Sequence, residues 1–338
     1  MSTAPTALLL PRALRPGDLV AVAAPSGPLD ADARPFLARG TAVLEELGFR
    51  VRVCPSVAEG RRHWWAAARP AEQAAEFNAL LRDPEVRAVV AHTGGQAVTG
   101  WLDQVDLDAV RADPKPVLGC SDVSQLLLAL HARTGLVGVH ADMATYGLGG
   151  SWNERFAGGP GQGPEEDGAR RALREAYLRV LTAPVPPGAL PALSPWQCWR
   201  AGRARGPLIG GLLNRLAALQ ATPYAVPAGR FDGAVLFWEE VDRPLSAVWS
   251  DLHALRLSGV LDRIAAMVVG TPHRVGAADG TEPSLREVVL DVLGPRPLPV
   301  LAGVDLGHAG PNLPLPLGVR AEADATARTL TLLTPAVR

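Results

Sequence analysis

Short apolar runs alternate with amphipathic stretches through residues 1–146, a rhythm that predicts parallel strands joined by crossover helices. Five strands are expected, at Leu19 to Ala24, Arg50 to Cys54, Ala88 to Ala91, Pro116 to Gly119 and Leu136 to His140. Helices are expected near 32–46, 71–82, 97–104 and 122–133. Together these elements describe an α/β lobe built on an open, doubly wound, Rossmann-like parallel sheet.

The pattern then changes. Residues 147–168 are rich in Gly, Pro and acids, bury too little apolar surface to order themselves, and read as a mobile loop. A helix is expected from about Ala169 to Leu181, and the Pro-rich run Ala183 to Pro195 leads into a second lobe. The organisation is therefore an N-terminal α/β domain at 1–146, a variable linker at 147–195 and a β-rich α+β domain at 196–338. In the second lobe a Gly-rich turn and helix is expected over Gly206 to Gln220, followed by a strand Ala234 to Trp238 that runs into Glu239 and Glu240. A helix at Leu245 to Leu257, a strand at Ile264 to Val269 and a helix at 284–293 come next. The strand Val300 to Val304, the turn Gly307-His308-Ala309-Gly310 and β segments near 315–323 and 327–333 complete the lobe.

Composition narrows the function classes. With 33 basic and 34 acidic residues the formal charge is −1, so no whole-chain field draws in nucleic acid, and a small, locally recognised substrate fits better. Three widely spaced cysteines contain no C-x-x-C pair for zinc or redox work, and the reading is a cytoplasmic protein with no metal or other cofactor. The apolar stretch Ala7 to Leu10 is too short for a signal-peptide core, and no run is long enough to suggest a membrane span.

Chemistry enters at Gly119-Cys120-Ser121-Asp122. Pro116 to Gly119 reads as a strand, while Val123, Leu126, Leu127 and Leu130 fall at helical spacing, so Ser121 sits where strand meets helix. Asp122 and Gln125 have capping-box spacing, with Asp122 expected to accept from first-turn amides. A serine at such a turn projects from the backbone beside free helix amides that suit a developing oxyanion. A turn or capping role is the plainer explanation of the serine alone.

A nucleophile needs a base, and His308 stands in a Gly-flanked turn directly after a buried strand, with His140 at a strand end as its main competitor. The base needs an orienting acceptor: Glu239 is the first acid after its strand, and Glu240 is a close rival. Serine, glutamate and histidine each follow a predicted strand, so one crevice at the strand C-termini would gather them. Gly94-Gly95 follows another strand and could bring a second oxyanion amide close to a ligand.

Over nearly its whole length the sequence resembles the LD-carboxypeptidase family, which includes the microcin C self-immunity peptidases. The resemblance rests on Leu14-Arg-Pro-Gly-Asp-Leu-Val-Ala-Val-Ala-Ala-Pro-Ser-Gly27, Thr93-Gly-Gly95 and Lys115-Pro-Val-Leu-Gly-Cys-Ser-Asp-Val-Ser-Gln-Leu126. Gly206-Pro-Leu-Ile-Gly-Gly-Leu-Leu213, Leu236-Phe-Trp-Glu-Glu240 and Gly307-His308 extend it into the second lobe. It implies a Ser-Glu-His triad at Ser121, Glu239 and His308, oxyanion amides from Asp122 and the Gly94-Gly95 turn, an active site between the domains, a homodimer and no metal.

Gly270-Thr-Pro-His273, Asp279-Gly-Thr-Glu-Pro283 and Trp196 look like the microcin C immunity branch, in which tryptophans help hold an aminoacyl-nucleotide substrate. That branch would give Trp152 and Trp196 a substrate-binding role beside Thr93 and Gln96. Several positions depart from the family pattern. The usual Arg-Gly-Gly-Tyr-Gly is Thr93-Gly-Gly-Gln-Ala97, an aromatic before the serine is Cys120, and the Asn after Gly-Gly is Leu212.

The expected activity is therefore amide cleavage through an acyl-enzyme in a small peptide or an aminoacyl-nucleotide-like conjugate. Murein peptide recycling by an LD-carboxypeptidase, or a specialised natural-product peptidase or cyclase, is the alternative. An ordinary esterase is disfavoured because Gly119-Cys-Ser-Asp-Val lacks the second glycine of G-x-S-x-G. A binding protein that kept the fold but lost turnover is a further rival.

Overall fold

The computed structural model describes residues 7–151, 164–276 and 283–338, without the side chains of 151 and 164–167. The first lobe is a six-stranded sheet of β1 (Leu19–Ala23), β2 (Arg50–Val53), β3 (Val86–Ala91), β4 (Val117–Gly119), β5 (Val139–His140) and the later β14 (Leu315–Pro316), in spatial order β14-β5-β4-β3-β1-β2. Its five N-terminal strands run parallel, as the alternating pattern predicts, and β14 joins antiparallel, with Leu315 opposite His140. All five residues of β1 are buried, which is the signature of a strand covered on both faces.

The second lobe holds β6 (Gly188–Ala189), β7 (Gln197–Arg200), β8 (Arg203–Leu212), β9 (Val235–Glu239), β11 (Ala266–Gly270), β13 (Val300–Val304), β15 (Arg320–Asp324) and β16 (Thr329–Leu332). They form an eight-stranded sheet in the order β6-β16-β15-β8-β9-β11-β13-β7, with a parallel centre flanked by antiparallel strands. A separate parallel pair, β10 (Val241–Arg243) and β12 (His273–Val275), lies just beyond the ends of β9 and β11.

Several expectations require correction. Gly206 to Gln220 is not a turn and helix: residues 203–212 are a ten-residue central strand, and the helix begins only at Leu213. Its glycines serve strand packing, since a Cβ on Gly210 would lie 1.7 Å from the Phe237 carbonyl oxygen. The helix expected near 97–104 is two 3₁₀ turns, Val98–Gly100 and Leu102–Gln104. The β segment near 315–323 divides between the two sheets, so the first lobe is completed by residues from the C-terminal part of the chain. The loop expected at 147–168 lies partly outside the described residues. Before that gap residues 144–151 form a π-helical turn, and after it a helix spans Pro164–Thr182.

The Val123–Thr134 helix joins the lobes. Ten of its twelve residues are buried, because one side packs on the first sheet and the other meets β8 and the Leu213–Leu219 helix. Gly135, in the left-handed conformation, ends it. Ser124 Oγ accepts from the Leu212 amide at 3.1 Å, fixing the start of this helix against the end of β8. The junction of the lobes is therefore set at the residues next to Ser121.

Candidate active site

Ser121 leaves β4 with φ +57°, a left-handed conformation that costs a non-glycine residue roughly 1–2 kcal/mol. The turn throws the serine side chain out of the sheet at the foot of the Val123–Thr134 helix. Asp122 follows it, but not as the expected cap: its carboxylate makes no hydrogen bond to its own helix backbone. Instead Oδ2 accepts from Ser26 Oγ at 2.6 Å and from the amides of Ala97 and Val98 at 2.8 and 3.0 Å, while Oδ1 accepts from Gln125 Nε2 at 2.8 Å. Arg215 adds an ion pair, its Nε 3.1 Å from Asp122 Oδ1. The buried carboxylate thus clamps the 93–98 loop to the serine turn.

That clamp sets the glycine turn. The Gly94 carbonyl accepts from the Gly27 amide at 2.8 Å, and Gly95 has φ +144°, where a Cβ would meet Ser26 Oγ at 2.7 Å. The amides of Gly94, Gly95 and Asp122 take no hydrogen-bond acceptor among the described residues. Free amides beside a strained serine are what an oxyanion requires.

Glu239 ends β9 fully buried, and its Oε2 accepts from His308 Nδ1 at 2.8 Å. This bond fixes the tautomer: Nδ1 carries the proton, and Nε2 is left with a free lone pair. Burial disfavours the imidazolium, yet the negative charge and hydrogen bond of Glu239 outweigh it and hold the His308 pKa above the usual histidine value. Burial also works against the Glu239 carboxylate, but the charge and hydrogen bond of His308 keep it below the usual glutamate range. The His308 turn is held from behind, because the Gly307 amide donates to Asn312 Oδ1 and Asn312 in turn donates to Asp142 through both its amide and Nδ2 at 3.0 Å.

The rivals occupy other roles. Glu240 makes no hydrogen bond to His308 and instead accepts from the Asn214 amide, Asn214 Nδ2 and the Val241 amide at 3.0–3.2 Å, capping the Leu213–Leu219 helix. Burial raises its pKa to about 7. His140 is fully buried rather than exposed to a substrate, and burial pushes its pKa down to about 4. Among the described residues no group of three His, Cys, Asp or Glu is arranged to hold a metal ion.

Ser121 and His308 line one open cleft of about 630 Å³ together with Gly95, Gln96, Leu212 and Tyr146. Thr93 is half-buried at the back of the glycine turn and does not line it. Trp196 does not face it either: the residue is 5% exposed, and its indole N–H donates to Asp305 at 2.8 Å. It is a core residue, because a buried indole needs an acceptor and Asp305 supplies one. Trp152 lies outside the described residues.

Sequence reasoning missed the second-lobe wall of the cleft, where Asn214, Arg215, Arg243, His273 and Arg274 stand. Asn214 and Arg215 come from the helix after Gly210-Gly211, and Arg243 and Arg274 from the small β10/β12 pair. Their only signal was position just after a strand end, which many surface residues share. The sequence expected a cleft without the family's loop arginine, and the structure places guanidinium groups on the opposite wall, each paired with an acid of the chain: Arg215 with Asp122, Arg243 with Asp251 and Arg274 with Asp242.

Comparison with known proteins agrees with this architecture. The LD-carboxypeptidase N-terminal domain matches residues 20–141 and the LD-carboxypeptidase C-terminal domain matches residues 205–323. A Streptomyces coelicolor protein that carries a carboxypeptidase name is 34% identical over 332 residues, 98% of each chain. A Bacillus subtilis protein named as a murein peptide carboxypeptidase is 28% identical over 320 residues, 94% of this chain and 92% of that one. The microcin C7 self-immunity protein MccF of Escherichia coli is also similar, and its structure in complex with aspartyl sulfamoyl adenosine superposes with a TM-score of 0.84 at 25% identity, covering 98% of this chain and all of that one. Matched in both of its lobes, the chain belongs to the LD-carboxypeptidase family of serine peptidases.

Proposed function

We propose that Ser121, His308 and Glu239 form the catalytic triad of an amidase acting on a small peptide or aminoacyl conjugate that bears a carboxylate. The observation that carries this reading is the Glu239–His308 pair at 2.8 Å in a cleft shared with a serine held at positive φ. Ser121 Oγ attacks the scissile carbonyl carbon while His308 Nε2 takes its proton, and Glu239 stabilises the imidazolium that results. The amides of Asp122 and of the Gly94-Gly95 turn receive the negative charge of the carbonyl oxygen. His308 then returns the proton to the leaving amine. Water attacks the acyl-enzyme by the reverse proton path, releasing the acid and restoring Ser121.

Arg215, Arg243 and Arg274 are paired with Asp122, Asp251 and Asp242, and their further N–H donors on the cleft wall suit a substrate with a free carboxylate. Such a group occurs in acidic aminoacyl conjugates like the ligand seen in MccF and at the end of a peptide such as a murein fragment. Of the altered positions, Gln96 and Leu212 line the cleft and favour the aminoacyl-nucleotide-like class, since they change the wall where the family binds peptides. Work in the cytoplasm as a homodimer is part of the same reading, supported by three free cysteines for the compartment and by the family resemblance for the dimer.

Mass spectrometry of products from a panel of murein tetrapeptides and aminoacyl-sulfamoyl nucleotides is the direct test. Release of the amino acid from the nucleotide conjugates is expected. Exclusive turnover of tetrapeptides would move the enzyme to murein recycling, and no turnover or fluorophosphonate labelling of Ser121 would reject the amidase.

A further inference from the structure

The His308–Glu239 bond occupies only one oxygen of a carboxylate that is fully buried. The other, Oε1, has no hydrogen-bond partner among the described residues. A buried anion with a bare oxygen is costly, so a group that can serve it carries functional weight. One side chain faces it: His140 Nε2, 4.0 Å away, on a ring that is 1% exposed. Both ring nitrogens of His140 also lack hydrogen-bond partners. Three polar atoms without a hydrogen-bond partner among the described residues, one acceptor and two nitrogens, therefore lie close together across the lobe interface.

We propose that His140 is a positioning residue whose Nε2–H donates to Glu239 Oε1, so that the catalytic carboxylate is held from both lobes. This rests on the triad reading above. The required approach is about 1 Å, from 4.0 Å to ordinary hydrogen-bond length. The backbone of His140 is fixed by pairing with Gly119 and Leu315, and its ring meets the ring of Phe237 edge-on at 5.4 Å, which leaves a small ring rotation as the free movement. Phe237 and Glu239 share a face of β9, two residues apart, so the ring that supports His140 is aligned with the carboxylate it would serve.

The donor has to be neutral to help. A cationic His140 would compete with the His308 imidazolium for the same carboxylate. Burial keeps His140 uncharged, and the other ionisable groups close to this space are Glu239, His308, the buried Cys120 thiol and Asp142, whose carboxylate is taken up by Asn312, with Glu240 and Asp242 acting on the His308 side. His140 thus gives Glu239 an N–H dipole without cancelling its charge. The bond lowers the basicity of Glu239 and, through it, that of His308.

The test is a carbon-13 NMR titration of histidine-labelled, unliganded protein, following His308 in the wild type, His140→Phe and His140→Gln. His140→Phe should raise the His308 pKa by about 0.5–1 unit by leaving Oε1 bare, and His140→Gln, which restores an N–H donor, should bring it back toward the wild-type value. A His308 pKa that is the same in all three proteins overturns the proposal. So does an equal shift in both variants, which would mark a packing effect. The titration needs no turnover, so it reads His140 independently of fluorophosphonate labelling at Ser121, which tests the triad reading itself.

Discussion

Gly94 lies so close to Ser121 that a Cβ built on the glycine would stand 2.7 Å from both the Cβ and the Oγ of the serine. The contact explains why a glycine follows Thr93: any side chain would push the nucleophile from its place or move the oxyanion amides away. Gly94→Ala should therefore lower kcat/KM by about 100-fold or more, the loss typical of a misplacement near 1 Å. One of the colliding atoms is Ser121 Cβ, which moves only with its backbone, so a fall in melting temperature should accompany the loss and kcat/KM is to be read on protein shown to be folded. Wild-type turnover in this variant would show that the 93–98 loop is not in the catalytic geometry.

The triad makes a graded prediction. Ser121→Ala and His308→Ala should each reduce turnover by several orders of magnitude, about 10⁴-fold or more, with the fold retained. Glu239→Gln should lose an equal or smaller factor, since it disturbs the tautomer and charge of the base rather than the base itself. Glu240→Gln is the control, because its carboxylate caps a helix and does not reach His308. Calorimetry and turnover measured on the same preparations separate the two glutamates, and a severe catalytic loss at Glu240 with an active Glu239 variant would reverse their assignment.

The pH dependence follows from the direction of each shift. His308 must be neutral to act as a base, and its pKa is raised, so kcat/KM should fall as pH drops through a value above 6.5. Its contribution to stability has the opposite sense: it is fully present below the unfolded histidine pKa and is lost as pH rises through the raised folded value. Glu239, held low, contributes stability above the unfolded glutamate pKa that is lost as pH falls through its folded value. In Glu239→Gln burial acts on His308 without its largest opposing charge, leaving only the smaller effects of Glu240 and Asp242, so the acidic limb of fluorophosphonate labelling at Ser121 should move to lower pH. A limb that stays in place would mean that Glu239 does not set the basicity of His308.

The first sheet was legible because β1, β3 and β4 are short apolar runs bounded by helical patterns, and a parallel strand buried on both faces leaves that trace. Ser121, Glu239 and His308 were legible as strand-end residues, and their convergence needed only the rule that such ends share a crevice. The arginine wall was not, because Arg215, Arg243 and Arg274 carry no local pattern that separates them from surface charge. β8 was misread because glycines at 206, 210 and 211 resemble a turn until the neighbouring strands that demand them are known. Asp122 was misread as a helix cap because spacing cannot show that the 97–98 amides approach from a distant loop. Trp196 was misread as a ligand platform for a related reason, since its partner Asp305 is distant in sequence and an indole on a variable segment gives no sign of being buried.

A last expectation concerns acid stability and lies far from the cleft. His131 is 1% exposed near the end of the Val123–Thr134 helix, where Nδ1–H donates to the Leu136 carbonyl at 3.2 Å and Nε2 accepts from Arg230 Nη1 at 3.3 Å. Acceptance from Arg230 requires the neutral ring, while the bond to Leu136 persists in either form, and burial first, then the charge of Arg230, push its pKa down to about 4. A histidine with a lowered folded pKa binds its proton more readily when unfolded, so it weakens the fold as pH falls below the unfolded value near 6.5. Between pH 7 and pH 5 the loss is on the order of 2 kcal/mol for a shift of this size. Asp142 and Glu240, raised by burial to about 6 and 7, act in the opposite sense over the same range, so the total pH slope does not isolate His131. The isolating comparison is His131→Gln, which removes the titrating ring. Urea unfolding at pH 7 and pH 5 should show the variant less stable than the wild type at pH 7, with the gap narrowing by about that amount at pH 5. Parallel pH slopes in the two proteins would mean that His131 is not held neutral by its buried contacts.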